Sequence, residues 1–318
     1  MTMNSINTNA QALIALQSLN TTNAQLSATQ KRVSTGYRVA DAKDDGGAFA
    51  VAQAVRSDVA GVIAVGEQLG GVKGILQTTF ASLSVVSDTM KQVRAVLTRL
   101  ADAAISSDQR ATYEEQYRLL ATQVSSFIDD ASYNGRTLLS TDVAIGGGNI
   151  TAIRNESGGT FTIEAVDGSG MKLDGDQFEF TAAELTTIED NLEIALTPAV
   201  WADLTGDEQQ ALINGEVSTQ KVTRATGMIQ SGGAFDAADK AISTALNEFG
   251  SAMAFVDNQI RYNSQKVDAM ETGLGALVDA DLAKESSTLQ ALQVRQQLGV
   301  QTLGLANQGP QVLLGLFR

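Results

Sequence analysis

Residues 274–318 read LGALVDADLAKESSTLQALQVRQQLGVQTLGLANQGPQVLLGLFR and set the architecture of the whole chain. Apolar residues recur there about every three and a half positions, the spacing of a coiled-coil seam: Leu282, Leu289, Leu292, Val300 and Leu303. A second seam near the N-terminus runs through Ile6, Ala10, Leu13, Leu16, Leu19, Leu26 and Val33. Because neither seam can bury itself, we expect the two ends to associate with each other or with further copies.

Composition narrows the classes of function. The 318 residues carry a formal net charge of −14, which argues against a nucleic-acid partner. The absence of Cys and His excludes disulfides, thiolate metal sites and imidazole acid–base catalysis. Carboxylates are scattered, and no Gly-rich loop follows a strand in a phosphate-binding pattern. We therefore expect no enzyme, no metal and no cofactor.

The first residues and the apolar runs bear on where the protein is located. Residues 1–10 contain neither a basic region nor an apolar run, so we expect no Sec signal peptide. No apolar run approaches the roughly 20 residues that a transmembrane helix needs, so we expect no membrane partner. A secreted protein of this kind would leave the cell by another route, without a cleavable signal.

Helical periodicity covers most of the chain. An amphipathic helix is predicted from Asn4 to Ser34, with Gly36 as its C-cap. Apolar steps of three and four residues run from Leu69 to Ala104 and again from Ile242 to Leu274. Since these two long stripes are of comparable length, we predict that they pair in a bundle.

Turn and capping signals divide the middle of the chain. Three capping boxes mark helix starts: Ser106 with Gln109, Thr181 with Glu184, and Thr205 with Glu208. Alternating apolar residues predict a β-hairpin formed by Ile150–Arg154 and Thr160–Val166. The helix after Thr205 is expected to stop at Asn214-Gly215, because Asn-Gly is a strong turn signal.

Two terminal motifs resemble one known family. The run KRVSTGYRVADAKDD (residues 31–45), preceded by INTN (residues 6–9), resembles the N-terminal signature of bacterial flagellins. The runs DADLAKE (residues 279–285) and LANQGPQVLLGLFR (residues 305–318) resemble the flagellin C-terminus. The turn at Tyr133-Asn134-Gly135 is also similar. The Lys-Glu and Phe-Arg variants in the C-terminal motifs resemble flagellins of alphaproteobacterial type.

The resemblance implies a structural subunit that polymerises into the extracellular flagellar filament used for swimming motility. It implies export by a flagellar type III route and self-association as a helical homopolymer. Its further implied partners are an export chaperone, the filament cap and the hook-junction proteins. The end helices would line a central channel, and the middle helices would make lateral contacts.

The predicted fold is mainly α, a long coiled-coil helical bundle formed by the N- and C-terminal parts, with a β-hairpin and a small α+β insert in the middle. The predicted inner coiled-coil domain comprises residues 1–44 and 275–318. The predicted core bundle with the hairpin comprises residues 45–166 and 236–274, and the variable, surface-exposed insert residues 167–235. Since the bundle stripes are expected to lie outside residues 167–231, we expect that segment to be removable without loss of filament formation.

The predicted assembly interface combines the two seams, charged residues of the linker that follows Gly36, and the C-terminal motif. By the resemblance, the linker charges lie between the inner and outer layers, where they pair between subunits; a solvated linker is the alternative. The predicted interface residues are Ile6, Leu13, Leu16, Leu19, Leu26, Val33, Arg38, Asp41, Asp44, Asp45, Leu282, Leu289, Leu292, Leu303, Leu313, Leu314 and Arg318.

Two other functions compete with the filament subunit. A hook–filament junction protein shares helical end segments, so the terminal seams alone do not exclude it. A flagellin-like surface protein could instead bind glycans through its insert. Electron microscopy of the purified protein separates these alternatives, because only a filament subunit forms long filaments.

Overall fold

The computed structural model describes residues 9–315, with side chains described as far as residue 308. The helices and strands are α1 Ala10–Thr35, α2 Gly46–Leu100, α3 Ser107–Asp129, β1 Ile150–Ile153, β2 Thr160–Ile163, α4 Ala182–Leu196, α5 Pro198–Asp203, α6 Gly206–Ile229, α7 Ala234–Val278 and α8 Leu282–Gly315. The mainly α fold predicted from the sequence is confirmed, with long helices in both terminal parts and one two-stranded sheet between them.

The chain divides into two compact units. The first comprises Met1–Ile63 and Ser264–Arg318, and the second comprises Ala64–Asn263. In the second unit, the predicted stripes of α2 and α7 are buried together with one face of α3. The central members of this core expose almost none of their surface: Leu69, Leu76, Leu83, Met90, Leu97, Tyr117, Val124, Ile242, Phe249 and Val256.

The predicted β-hairpin forms and packs on the same core, with strands that end at Ile153 and Ile163 rather than at Arg154 and Val166. Its strands are antiparallel, with Ile150 opposite Ile163 and Ala152 opposite Phe161. A buried amide explains the polar position in the stripe of α7: Asn263 donates from Nδ2 to the carbonyl oxygen of Arg154 at 3.3 Å. Gln259 donates to the same carbonyl at 3.0 Å, so α7 holds the end of strand β1.

The structure confirms the predicted capping signals. Each predicted capping box is formed reciprocally, starting α3, α4 and α6. Gly36 ends α1 in the left-handed region with φ 76°, a conformation that glycine adopts without a Cβ clash. The start of α1 is Ala10, capped by Asn9, and the earlier predicted start at Asn4 lies outside the described residues.

The predicted stop at Asn214-Gly215 is wrong. Helix α6 continues through both residues to Ile229. A glycine inside a helix costs about 1 kcal/mol relative to alanine. Burial of Ala225 and Met228 in the core of the second unit outweighs that cost, because stopping at the turn would leave these side chains exposed.

Residues 167–231 lie outside the predicted bundle stripes, yet the segment contributes side chains to the bundle core. Met171, Leu173, Phe178, Ala225 and Met228 belong to the same buried cluster as α2, α3 and α7. Lys221 of α6 pairs with Glu114 of α3, with Nζ and Oε2 2.7 Å apart. The segment therefore supplies part of the core, which sequence periodicity missed because these residues are spread over a loop and a helix end.

Residues 185–213, here called the tip, remain outside that core. They include most of α4, all of α5 and the start of α6, and α4 contacts both of the other helices. Ile188 and Ile213 are buried there but do not join the main cluster. The tip contains no Lys or Arg and six acidic residues: Glu189, Asp190, Glu193, Asp203, Asp207 and Glu208.

One helix of the described chain is long and apolar enough to cross a membrane. This is α2, whose most apolar window has a mean hydropathy of 1.5 and is 17% buried. The helix contains no uninterrupted apolar run of about 20 residues, because charged residues such as Arg56 and Asp58 divide its apolar stretches. A single such helix is weak evidence for a membrane span, since core helices of water-soluble proteins pass the same test.

Candidate assembly interface

Helices α1 and α8 of the first unit pack antiparallel along each other. Asn9 Nδ2 donates to the carbonyl oxygen of Ala306 at 2.7 Å near one end. Gln296 Nε2 donates to Asn23 Oδ1 at 2.8 Å farther along. Arg32 and Glu285 form an ion pair of 3.3 Å at the other end. The N- and C-terminal helices therefore pack against each other, as the two seams predicted.

Contact between the two helices buries only a narrow strip. Leu292 is 4% exposed, while five other predicted seam residues are half-buried: Leu19, Leu26, Val33, Leu289 and Leu303. Gly299 permits the close approach, because a Cβ at that position would lie 3.2 Å from Leu19 Cδ1. The strip is thus too narrow to cover all the apolar residues that the two helices carry.

The remaining apolar side chains of the pair face solvent. Among the predicted residues, Leu13 is 57% exposed, and Leu16 and Leu282 are also exposed. Sequence reasoning missed another exposed group that lies off the seam positions: Ile14, Val294, Leu298 and Leu305. The signal for them was the excess of apolar residues over what one seam needs, which widens the stripe on each helix. Exposed apolar residues along both helices make the pair a candidate surface for association.

A short elbow, residues 36–45, connects α1 to α2 and contains the predicted linker charges. Its backbone pairs with the chain between α7 and α8: Arg38 N donates to the carbonyl oxygen of Val278 at 2.7 Å, and Ala280 N to that of Gly36 at 2.9 Å. Val39 and Val278 are buried with Ala52 in a small separate core. The elbow is therefore an ordered part of the first unit.

The charged residues of the elbow have partners within the chain. Lys31 Nζ, in the last part of α1, lies 2.8 Å from Asp41 Oδ2 and 2.7 Å from Asp44 Oδ2. Arg38 donates to the carbonyl oxygen of Leu277 at 2.5 Å. Asp45 Oδ1 accepts from Ala48 N at 3.0 Å and so caps α2. Pairing of these charges between subunits stays a prediction, and the intrachain contacts would compete with it.

The electrostatics of the elbow favour its charged forms. The pKa of Lys31 is raised because its ammonium donates hydrogen bonds to Asp41, which has the larger effect, and to Asp44. The pKa of each of these carboxyl groups is lowered, chiefly because it accepts from Lys31. The ion pairs are therefore complete at neutral pH. Their contribution to stability is lost as the pH falls through the lowered carboxyl pKa.

Four predicted interface residues lack a description. Ile6 and Arg318 lie outside residues 9–315, and the side chains of Leu313 and Leu314 lie outside the described part of α8. Within the described residues, no group of three or more acidic side chains is placed to hold a metal ion. The chemistry available to the described site is apolar association framed by ion pairs.

Comparison with known proteins identifies the family. The model of the bacterial flagellin N-terminal helical region matches residues 6–144, and that of the C-terminal helical region matches residues 233–317. Flagellin FljK of Caulobacter vibrioides is 30% identical over 318 residues and covers both chains completely. The Brucella melitensis flagellin is 29% identical over 319 residues, covering 99% of this chain and 100% of the relative.

Flagellin C of Rhizobium meliloti is 30% identical over 333 residues, covering 99% of this chain and 100% of the relative. The crystal structure of Bacillus cereus flagellin aligns with 62% of this chain and 88% of its own, at 17% identity and a TM-score of 0.40. Two terminal family models and full-length alphaproteobacterial relatives agree with the motifs at both ends. The chain belongs to the bacterial flagellin family, a family of structural subunits that polymerise into the extracellular flagellar filament.

Proposed function

We propose that the α1–α8 pair is the surface through which copies of this filament subunit bury one another, as the inner layer of the polymer. The pair keeps most of its apolar side chains in solvent, and that observation carries the proposal. A soluble chain gains nothing from leaving Leu13, Leu298 and Leu305 exposed along two paired helices. In a polymer, neighbouring copies remove those side chains from water.

The layer assignment follows from the same reasoning. Residues 1–44 and 275–318 would form the inner coiled coil around a channel, and residues 45–166 and 236–274 the outer bundle. Within residues 167–235, the tip would be the surface-exposed part, because Met171, Phe178 and Met228 are buried in the core of the second unit. The acidic, Lys- and Arg-free composition of the tip suits exposure to water, because like charges on neighbouring copies oppose tip-to-tip association.

Export and accessory partners belong to the same proposal. We propose that the chain leaves the cell through the flagellar type III route without losing a leader, aided by an export chaperone. The filament cap and the hook-junction proteins would bind it at the two ends of the polymer. Terminal sequencing of shed filaments tests the export claim: an intact start supports it, and a trimmed start contradicts it.

A substitution on the exposed face of the pair tests the central proposal. In Leu305→Asp, a side chain that is 67% exposed in the single chain becomes a carboxylate. Burial between copies would forfeit about 1.5–3 kcal/mol of apolar transfer and add the larger cost of an unpaired buried charge. We expect no sedimentable polymer, with unchanged helicity of the monomer by circular dichroism.

Ile194→Asp is the matched control, because Ile194 is 75% exposed but lies in the tip. This variant is expected to sediment as filament like the unmodified chain. Normal filaments from Leu305→Asp would contradict the burial of α8 between copies. Filaments of ordinary length from the unmodified chain, seen by electron microscopy, would also exclude the junction-protein alternative.

A further inference from the structure

The chain contains two Asn-Gly pairs, and the structure places them in opposite environments. Asn134-Gly135 forms an exposed turn after α3, whereas Asn214-Gly215 lies inside α6. Asparagine before glycine is the sequence context in which a side-chain amide is lost most readily, because glycine has no Cβ to hinder attack by its own nitrogen. The two pairs therefore allow the effect of the fold on this chemistry to be separated from the effect of the sequence.

The first pair occupies a two-residue β-turn closed by Tyr133 and Arg136. Tyr133 N donates to the carbonyl oxygen of Arg136 at 2.8 Å, and Arg136 N donates to that of Tyr133 at 3.0 Å. Asn134 has φ 50° and Gly135 has φ 73°, the two positive values of a type I′ turn. Within the described residues, no hydrogen bond engages the Asn134 side chain or the peptide that joins Asn134 to Gly135.

This turn is one peptide flip away from the geometry that ring closure requires. A bond from the Gly135 nitrogen to Asn134 Cγ closes a five-membered ring, which needs an Asn134 ψ of about −120°, the value at the first central position of a type II′ turn. Types I′ and II′ share a positive φ at that position and differ in the orientation of the central peptide. Because glycine adopts either sign of φ, Gly135 permits the flip while Tyr133 and Arg136 stay paired.

The second pair is held far from that geometry by α6. A helical residue has a ψ of about −42°, and the N–H of Gly215 is engaged in the hydrogen-bond ladder of the helix. Asn214 Oδ1 also accepts from Gln210 Nε2 at 3.1 Å. Ring closure at Asn214 therefore requires local opening of α6, which ring closure at Asn134 does not.

We propose that Asn134 is a site of spontaneous covalent modification in the folded subunit. The deprotonated Gly135 nitrogen attacks Asn134 Cγ, the Cγ–Nδ2 bond breaks, and the side-chain nitrogen leaves as ammonia, so that a cyclic imide remains. Water then opens the imide at either of its two carbonyl groups. One opening gives aspartate and the other gives isoaspartate, and each product carries one new negative charge.

The isoaspartate product also changes the turn. It adds one carbon to the backbone between Tyr133 and Arg136, so their two hydrogen bonds no longer fit. The ring of Tyr133 packs closely on α2, where a Cβ on Gly74 would lie 2.9 Å from Tyr133 Cζ. We therefore expect the amides of Tyr133 and Arg136 to exchange faster with solvent hydrogen in the isoaspartate form.

Mass spectrometry of the aged monomer tests the proposal with an internal control. Trypsin releases Asn134 within residues 119–136 and Asn214 within residues 173–221, so one digest reports both sites. Each conversion adds about 1 Da, and an unaged sample digested in parallel gives the baseline. After incubation of the folded chain at mildly alkaline pH, we expect modified Asn134 to accumulate at least about tenfold faster than modified Asn214. In denaturant the two rates are expected to converge, because α6 no longer protects Asn214.

Asn134→Gln is the matched variant, because it keeps a side-chain amide but would have to close a six-membered ring. It is expected to remove the mass shift from residues 119–136. Equal rates at Asn134 and Asn214 in the folded chain would overturn the proposal, and so would a shift that persists in Asn134→Gln. Aspartate as the sole product would also contradict it, since only an imide gives both isomers. The monomer is sufficient for every measurement, so the result is independent of the proposed assembly surface.

Discussion

In α2, Leu69, Leu76, Leu83 and Leu97 repeat at multiples of seven residues and are fully buried within the second unit. In α8, apolar residues recur with a similar helical spacing, yet Leu282, Leu298 and Leu305 face solvent in the first unit. The two regions are therefore alike in sequence and opposite in burial. Periodicity shows that a helix face needs a partner but does not say which chain provides it. In the second unit the partner is the same chain. In the first unit, by our proposal, the partner is another copy.

The largest effect that would sharpen this comparison is expected in the core of the second unit. Val256→Asp places a carboxylate at a position that is 0% exposed. Loss of the apolar side chain costs about 1.5–3 kcal/mol, and burial of the charge adds several kcal/mol more. We expect the monomer to lose its cooperative thermal transition, followed by circular dichroism.

Ala254→Asp is the control for Val256→Asp, since Ala254 is an exposed residue on the same helix. Its monomer is expected to melt near the temperature of the unmodified chain. If Val256→Asp melts normally, the two regions do not differ in burial as described. The contrast with Leu305→Asp, which spares the monomer, would then disappear.

A smaller effect is expected at the strip between α1 and α8. Leu292→Ala removes a side chain that is 4% exposed and costs about 2–5 kcal/mol if the site is a fully formed core. We expect the low end of that range, because the strip is narrow and can collapse. The measurement is amide exchange along α8 in the free chain, which should speed up while the second unit keeps its protection.

Exposed Leu298→Ala is the companion variant for Leu292→Ala, and it should leave exchange in the free chain unchanged. Equal exchange in both variants would show that the pair is not held together by Leu292. In that case α1 and α8 would be unpaired before assembly, unlike the buried helices of the second unit.

The smallest effect is expected at the tip. Replacement of residues 185–213 by a short Gly-Ser linker removes Ile188 and Ile213 but no member of the main core. We expect little change in the main thermal transition or in filament yield, measured by calorimetry and sedimentation.

Removal of residues 167–231 should instead prevent folding, since it takes out Phe178 and Met228. A chain that folds normally without residues 167–231 would contradict the core assignment.

Local sequence signals predicted the helix starts, the glycine cap at Gly36 and the hairpin. Each of these depends on residues within a few positions of one another. The continuation of α6 through Asn214-Gly215 did not follow, because its cause is burial of Ala225 and Met228 against distant helices. Tertiary packing overrode a local turn preference there.

The candidate assembly interface could likewise be predicted only in part from the sequence. The seams identified the α1–α8 pair, and the structure added exposed residues off the seam, such as Ile14 and Val294. The pairing of Lys31 with Asp41 and Asp44 could not be read from spacing. It depends on the left-handed turn at Gly36, which returns the chain toward the end of α1. The predicted interface residues themselves await a test in the polymer.

The composition of the tip has a practical consequence for protein chemistry. Trypsin cleaves after lysine and arginine, and neither residue occurs between Lys172 and Lys221. Complete digestion therefore releases the whole tip, with parts of its two attachments, as one peptide spanning residues 173–221. Mass spectrometry of that peptide reports any covalent change on the tip as one mass shift.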